Sequence, residues 1–355
     1  MSQIDQREMP ELNAEWLEFD SREQPKQVTA SEVGLEAKRR EHSRQTLQRN
    51  TAYLSQFDTR LADLVEVRGS TVRARDGEDI RIRIYDSNRP KNRPIVVFFH
   101  GGGLTGWDLD TEDLSCRRMA IDGATVVVSV AYRLAPENPY PIPINDAWDS
   151  FLHIAENPTT FIPRYAGSAD IVIAGTSSGA QLASIVSQLA VKHLQEQETQ
   201  TWKVCGVILR TPVTVYAAEE RYIPPQFRSL HQSWVPELEY PGRLTREDMK
   251  DNHDLYGVPS DEKRSPLAYP LWGNLTGLPP TFVQICGLDI LRDDAICYVR
   301  GLTDAGVDVQ SKKYEGLPHV FWVYAPQLEV SRIIEQDCVD GLNWIISKWQ
   351  SEVST

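Results

Sequence analysis

By hydrophobicity alone, the chain divides into short apolar runs separated by longer amphipathic ones. Residues 61–68 and 79–86 alternate apolar and polar positions, as in Asp79-Ile-Arg-Ile-Arg-Ile-Tyr-Asp86. A period of two predicts half-exposed antiparallel strands. Residues 94–100 (Pro-Ile-Val-Val-Phe-Phe-His) and 125–132 are continuously apolar; 171–174, 204–209 and 281–286 follow, and 307–314 closes the series. Unbroken runs rich in β-branched residues predict strands buried on both faces. Helical patterns lie between them, near 111–122, 144–156, 179–194, 292–305 and 327–349. Strands that alternate with helices predict an α/β chain: a mixed, mostly parallel eight-stranded sheet covered by helices on both faces.

Two regions break the alternation. Residues 1–60 are polar and charged, and a helix is predicted from a Ser31 cap through Arg49. This is not core material and reads as a lid. The second region is the insertion at about 213–265, rich in aromatic, proline and acidic residues, such as Trp234-Val-Pro-Glu-Leu-Glu-Tyr-Pro-Gly242. A structureless loop of that size is rare in a compact domain, so helices packing with the N-terminal segment as a cap are expected. The division is then 1–60 as an N-terminal cap segment and 61–355 as the main domain carrying the insertion. The apolar members of the insertion need an apolar surface, and Phe227 and Trp234 are the candidates for a substrate-pocket wall.

Composition narrows the class. The formal charge of −13 over 355 residues argues against nucleic acid and against anionic membrane surfaces. No run is apolar and long enough to span a bilayer, and Met1-Ser-Gln-Ile-Asp-Gln-Arg-Glu has no signal core. Five scattered cysteines without a C-x-x-C pair read as reduced thiols, so a cytoplasmic location is expected. No cofactor or metal is expected, because no H-E-x-x-H or cysteine cluster supplies ligands. A homodimer is left open.

Three features carry candidate chemistry. Gly175-Thr176-Ser177-Ser178-Gly179 matches G-x-S-x-G, directly after the apolar run 171–174 and before a strong helix former. In that motif the serine tops a sharp strand-to-helix turn, and the glycines avoid collisions a Cβ would make. His100-Gly101-Gly102-Gly103 ends an earlier strand, where bare backbone N–H groups can bind an oxyanion. Later, Asp289 follows one strand and His319 another; Asp289 is favoured as the acid with Asp293 in reserve, the plainer alternative for Asp289 being a helix cap. Of the seven histidines, His42, His153 and His193 lie in polar helical stretches and are expected to be solvated, while His231 and His253 fall in the insertion.

Together, His100-Gly-Gly-Gly103, the Gly-Thr-Ser-Ser-Gly elbow, Gly287-Leu-Asp-Ile-Leu-Arg-Asp293, His319-Val-Phe321 and Tyr132-Arg-Leu-Ala-Pro-Glu137 resemble the hormone-sensitive-lipase-like branch of the α/β-hydrolases, over roughly residues 60–350. The resemblance implies hydrolysis of a small-molecule carboxylic ester through an acyl-enzyme on Ser177. It implies His319 as general base, Asp289 orienting it, and an oxyanion hole from the N–H groups of Gly102, Gly103 and Ser178. The chain departs from the usual pattern at Thr176, Ser178 and Ala180, at Ile290 after the acid, and at Val320 after the histidine. A non-hydrolytic lyase or cyclase of the same fold stays open as an alternative. A small-molecule receptor is disfavoured, since receptors of this family lost the histidine.

Overall fold

The computed structural model describes residues 11–22, 34–87, 93–163, 165, 169–240 and 242–353. Eight strands form one sheet in the order β1-β2-β4-β3-β5-β6-β7-β8. They are β1 (Glu66–Arg73), β2 (Asp79–Asp86), β3 (Ile95–Phe99), β4 (Val126–Val130), β5 (Ala169–Thr176), β6 (Trp202–Arg210), β7 (Thr281–Leu288) and β8 (Val309–Pro318). Strand β2 pairs antiparallel with β1 and β4. Every other pairing is parallel. The mixed, mostly parallel sheet read from the pattern is the one observed.

The apolar runs are continuous because both faces of the central strands are covered. Along β3, Ile95, Val97 and Phe99 join one core layer and Val96 and Phe98 the other. The first layer lies under α5 (Ile142–Glu156), the one-turn α6 (Pro158–Phe161), α7 (Ser178–Glu196) and α9 (Arg292–Asp304); the second lies under α4 (Asp113–Asp122) and α11 (Glu329–Val353). Each large side chain buried this way contributes about 1.5–3 kcal/mol. In β2 only Ile80, Ile82 and Ile84 point inward from the first six residues, which is the alternation the sequence displays.

Three expectations need correction. The first strand does not begin at Leu61. That residue lies in the short helix α3 (Arg60–Asp63), fully buried, and β1 starts at Glu66, where its register against Asp86 of β2 begins. As an edge strand, β1 buries only Val72 and so carries almost no alternation to read. The N-terminal helix α2 (Leu35–Gln56) runs past Arg49, and the Ser31 cap lies outside the described residues. Among its described residues the insertion holds one α-helix, α8 (Arg246–Tyr256), framed by a Thr245/Asp248 capping box and a left-handed Gly257. Around it are single turns such as Pro225–Phe227 and Pro236–Leu238. Prolines at the heads of these turns lack the N–H groups that would extend them into longer helices.

Between the sheet and the second layer sits a buried ionic cluster. Arg210, at the end of β6, is fully buried. Its guanidinium meets Glu335 at 2.8 Å, Gln284 at 2.8 Å, Ser115 at 2.9 Å and Glu112 at 3.5 Å. It also lies 4.3 Å from the ring centroid of Trp322, in the one-turn helix α10 (Phe321–Tyr324). Burial pushes the Glu112 carboxyl above its usual range, against the pull of Arg210. Arg210→Met would strand two carboxylates, so a stability loss of about 3–5 kcal/mol is expected. Urea unfolding of the wild type, Arg210→Met and the Arg210→Met/Glu335→Gln pair checks this. A single variant within 1 kcal/mol of wild type (roughly the worth of one exposed ion pair) would contradict the account.

Candidate active site

The turn after β5 places Ser177 in a conformation L-residues avoid, with φ 56° and ψ −121°. Its neighbours make that turn possible. A Cβ on Gly179 would lie 2.1 Å from the Phe99 carbonyl oxygen, and one on Gly175 would lie 2.2 Å from that of Gly179. The Ser177 N–H donates to the Arg210 carbonyl at 2.7 Å, so the cluster beneath the sheet also fixes the turn. Helix α7 begins at Ser178 and directs the positive end of its dipole at the serine.

Strands β7 and β8 deliver the other two groups. His319 follows β8, held by left-handed Val320. Its Nε2 is 2.9 Å from Ser177 Oγ, and its Nδ1 is 2.6 Å from Asp289 Oδ2. The other Asp289 oxygen accepts the Leu291 N–H at 2.9 Å, which fixes the carboxylate. All three residues are buried, with relative exposures of 2–5%. Because a carboxylate only accepts, Nδ1 carries the proton and Nε2 presents a lone pair to the serine hydroxyl. Asp293 is turned away: it accepts the Gln232 N–H at 2.7 Å and pairs with Arg292 at 2.8 Å. Asp294 binds His231 and the Thr214 N–H, both at 2.8 Å. The structure therefore brings Ser177, His319 and Asp289 together and leaves Asp293 outside.

The loop after β3 folds over the serine turn. Gly102 and Gly103 have φ of 110° and 66°, and among the described residues nothing accepts their N–H groups. The Ser178 N–H, first in its helix, has no intrahelical acceptor either. Two braces here escaped the sequence reading. The Ser178 hydroxyl accepts the Leu104 N–H at 3.2 Å, tying this loop to α7. The Tyr132 hydroxyl donates to the His100 carbonyl at 2.7 Å, and its ring stacks on His100 at 4.4 Å. Burial lowers the His100 pKa, so this imidazole stays neutral and structural. Tyr132 was visible within the Tyr-Arg-Leu-Ala-Pro-Glu motif; its role needed the adjacency of β4 to β3, which chain order does not reveal.

The N-terminal segment and the insertion close around this end of the sheet. In α1 (Ala14–Arg22), Trp16 is fully buried against Phe321 and Tyr240, and Asp20 accepts from Tyr240 and Arg243 at 2.8 and 2.9 Å. Asn13 donates its N–H to the Gly316 carbonyl at 3.1 Å, just before His319. Glu15 accepts the Glu329 and Val330 N–H groups at 2.7 and 3.0 Å, capping α11. From α2, Arg39 donates to the Thr105 carbonyl at 2.7 Å.

Phe227 and the polar-helix histidines sit differently from expectation. Phe227 packs against Gly301, more than two turns along α9 from that helix's start at Arg292, so it is seated on a helix of the main domain, away from the Ser177 turn. Trp234 is half-buried and follows Ser233, whose hydroxyl donates to the Ile290 carbonyl at 2.8 Å, next to Asp289. The polar-helix histidines are half-buried against aromatic rings rather than fully solvated. His42 stacks on Trp107 at 5.3 Å, and burial pushes its pKa down to about 4. His153 sits edge-on to Phe161 and His193 stacks on Trp202. Helix periodicity shows which face is polar but not what a second segment lays over it.

Among the described residues no three His, Cys, Asp or Glu side chains are grouped to hold a metal, and no helix is long and apolar enough to cross a membrane. Residues 96–323 match the family described as alpha/beta hydrolase fold. The chain is an α/β-hydrolase. An AB hydrolase superfamily protein of Schizosaccharomyces pombe is 31% identical over 301 residues, covering 82% of this chain and 83% of the relative. The versiconal hemiacetal acetate esterase of Dothistroma septosporum is 30% identical over 277 residues, covering 77% and 80%. Among solved structures, the esterase of Pyrobaculum calidifontis superposes with a TM-score of 0.77 at 26% identity, covering 94% of this chain and 98% of that one. A vibralactone cyclase superposes with a TM-score of 0.79 at 22% identity, covering 96% of each chain. The cyclase likeness is one of fold. As in other α/β-hydrolases, the groups that meet at Ser177 come from the carboxyl ends of parallel strands.

Proposed function

We propose that this α/β-hydrolase is a carboxylesterase acting on a small-molecule ester, with Ser177 as nucleophile. The observation that carries the reading is the unbroken chain Ser177 Oγ, His319, Asp289, with contacts of 2.9 and 2.6 Å. His319 Nε2 takes the hydroxyl proton as Oγ attacks the ester carbonyl. Asp289 holds the imidazole in the required tautomer and stabilises its positive charge. The N–H groups of Gly102, Gly103 and Ser178 receive the oxyanion, each worth on the order of 3 kcal/mol to the transition state. Collapse expels the alcohol, which takes its proton from His319. Water, deprotonated by the same nitrogen, then releases the acid and restores Ser177.

In this reading the N-terminal segment and the insertion form a cap over Ser177. Trp234, whose neighbour Ser233 binds the Asp289 loop, is then the pocket candidate that would touch an acyl chain. Relatives named as esterases support the reaction class. The test is a p-nitrophenyl ester series from acetate to dodecanoate, with intact-mass detection of an acyl adduct on Ser177. Saturable turnover with an adduct on wild type is expected. Trp234→Ala should shift the preferred chain length, with one contact worth about 1–3 kcal/mol of discrimination. Absence of both turnover and adduct would favour a non-hydrolytic reaction of the same fold.

A further inference from the structure

Helix α8 of the insertion reaches the oxyanion loop through Asn252. Where a Cβ on Gly103 would sit, the carboxamide of Asn252 already lies: Nδ2 at 2.4 Å, Cγ at 2.5 Å and Oδ1 at 2.9 Å from that position. The amide is thus laid flat on the glycine. Its orientation is set by Thr105, whose hydroxyl donates to Asn252 Oδ1 at 2.7 Å. Thr105 in turn belongs to the turn that carries the two glycines, because its N–H donates to the Gly102 carbonyl at 3.1 Å. The helix that presents Asn252 is itself anchored on either side of it. Its start is fixed by the Thr245/Asp248 capping box, and its last residue, Tyr256, accepts the Tyr140 N–H at 2.8 Å. Next to Asn252, the ring of His253 is held at 3.0 Å by the Tyr269 hydroxyl.

Gly103 has φ of 66°, a region in which peptide orientation is loosely held unless neighbours restrain it. The Leu104 N–H is tied to Ser178 on the elbow side. On the cap side, Asn252 and Thr105 supply the matching restraint. We propose that Asn252 is a positioning residue: it holds the Gly102–Gly103 peptides in the orientation that aims their N–H groups at the oxyanion. Through it the oxyanion hole is complete only while α8 is seated. The third glycine of the His-Gly-Gly-Gly sequence is then required twice, once for its backbone conformation and once because a side chain would displace the amide.

The inference rests on the esterase reading above, and the test separates the two. Full-length wild type, Asn252→Ala, Thr105→Val and the double variant are assayed on p-nitrophenyl acetate, with fluorophosphonate labelling of Ser177 and thermal midpoints. Misaimed N–H groups act on the transition state rather than on ground-state binding. The expected result is a kcat loss on the order of 10- to 100-fold in Asn252→Ala, with KM within about twofold. Thr105→Val should lose a similar factor, and the double variant no more than the worse single one, because both remove the same restraint. Should Asn252→Ala fold poorly, Thr105→Val reads the same restraint from the other partner. Unchanged kcat in a folded variant, a loss confined to KM, or multiplicative losses in the double variant would overturn the positioning role. A wild type that takes no label on Ser177 would overturn the esterase reading itself.

Discussion

Ser177→Ala should remove ester turnover and fluorophosphonate labelling together, with a fall in kcat on the order of a millionfold. The magnitude follows from geometry. Ser177 alone tops the turn, 2.9 Å from His319 Nε2, and its left-handed backbone presents Oγ to the open end of the sheet. The neighbouring hydroxyl, Ser178, cannot substitute, because it is engaged by the Leu104 N–H at 3.2 Å and points into the loop. What remains should be the modest rate given by substrate binding and the N–H groups, about a thousand- to ten-thousandfold above water. Alanine fits the turn without new contacts, so the thermal midpoint should stay close to that of wild type. Strong labelling of the folded variant would refute Ser177 and direct attention to Ser178.

Asp289→Asn should lower kcat about ten-thousandfold, whereas Asp293→Asn should leave it within about tenfold. An asparagine at 289 can donate its amide to Nδ1, which turns the imidazole into the tautomer with a proton on Nε2, where a lone pair is needed. It also removes the negative charge facing the imidazolium. Asp293 carries no such role: its oxygens take the Gln232 N–H and Arg292, so its loss should appear as instability of about 1–3 kcal/mol. Specificity constants with urea unfolding for both variants would separate the effects. Equal activity losses in two folded proteins would contradict the assignment.

The sheet was legible because its strands are buried on both faces, and continuous runs such as Val126–Val130 announce that burial. The elbow was legible because backbone geometry forces glycine at 175 and 179, where close contacts admit nothing larger. His319 and Asp289 could be read from their place after late strands. What the sequence hid was mostly long-range. Arg210 looks like a strand-end cation, and only the fold sets Glu112, Glu335 and Trp322 around it. Asn252 stands in an unremarkable polar helix stretch, and its contact with Gly103 depends on how the insertion is seated. Phe227 shows the same limit from the other direction. Its apolarity said that it needed a partner but not that the partner would be Gly301.

The capping of α11 by Glu15 joins positions 314 residues apart. Closing so long a loop costs little more than closing a short one, because the entropy grows only with the logarithm of length. Chain ends ordinarily fray first. Here the first described helix and the last one hold each other, and Asn13 carries the same tie to the residue pair preceding Pro318 and His319. Parting of α1 from the start of α11 therefore reaches the loop carrying His319 early. Amide exchange at Glu329 and Val330 should report the same opening free energy as loss of order around His319, which makes α1, the start of α11 and the His319 loop one cooperative unit.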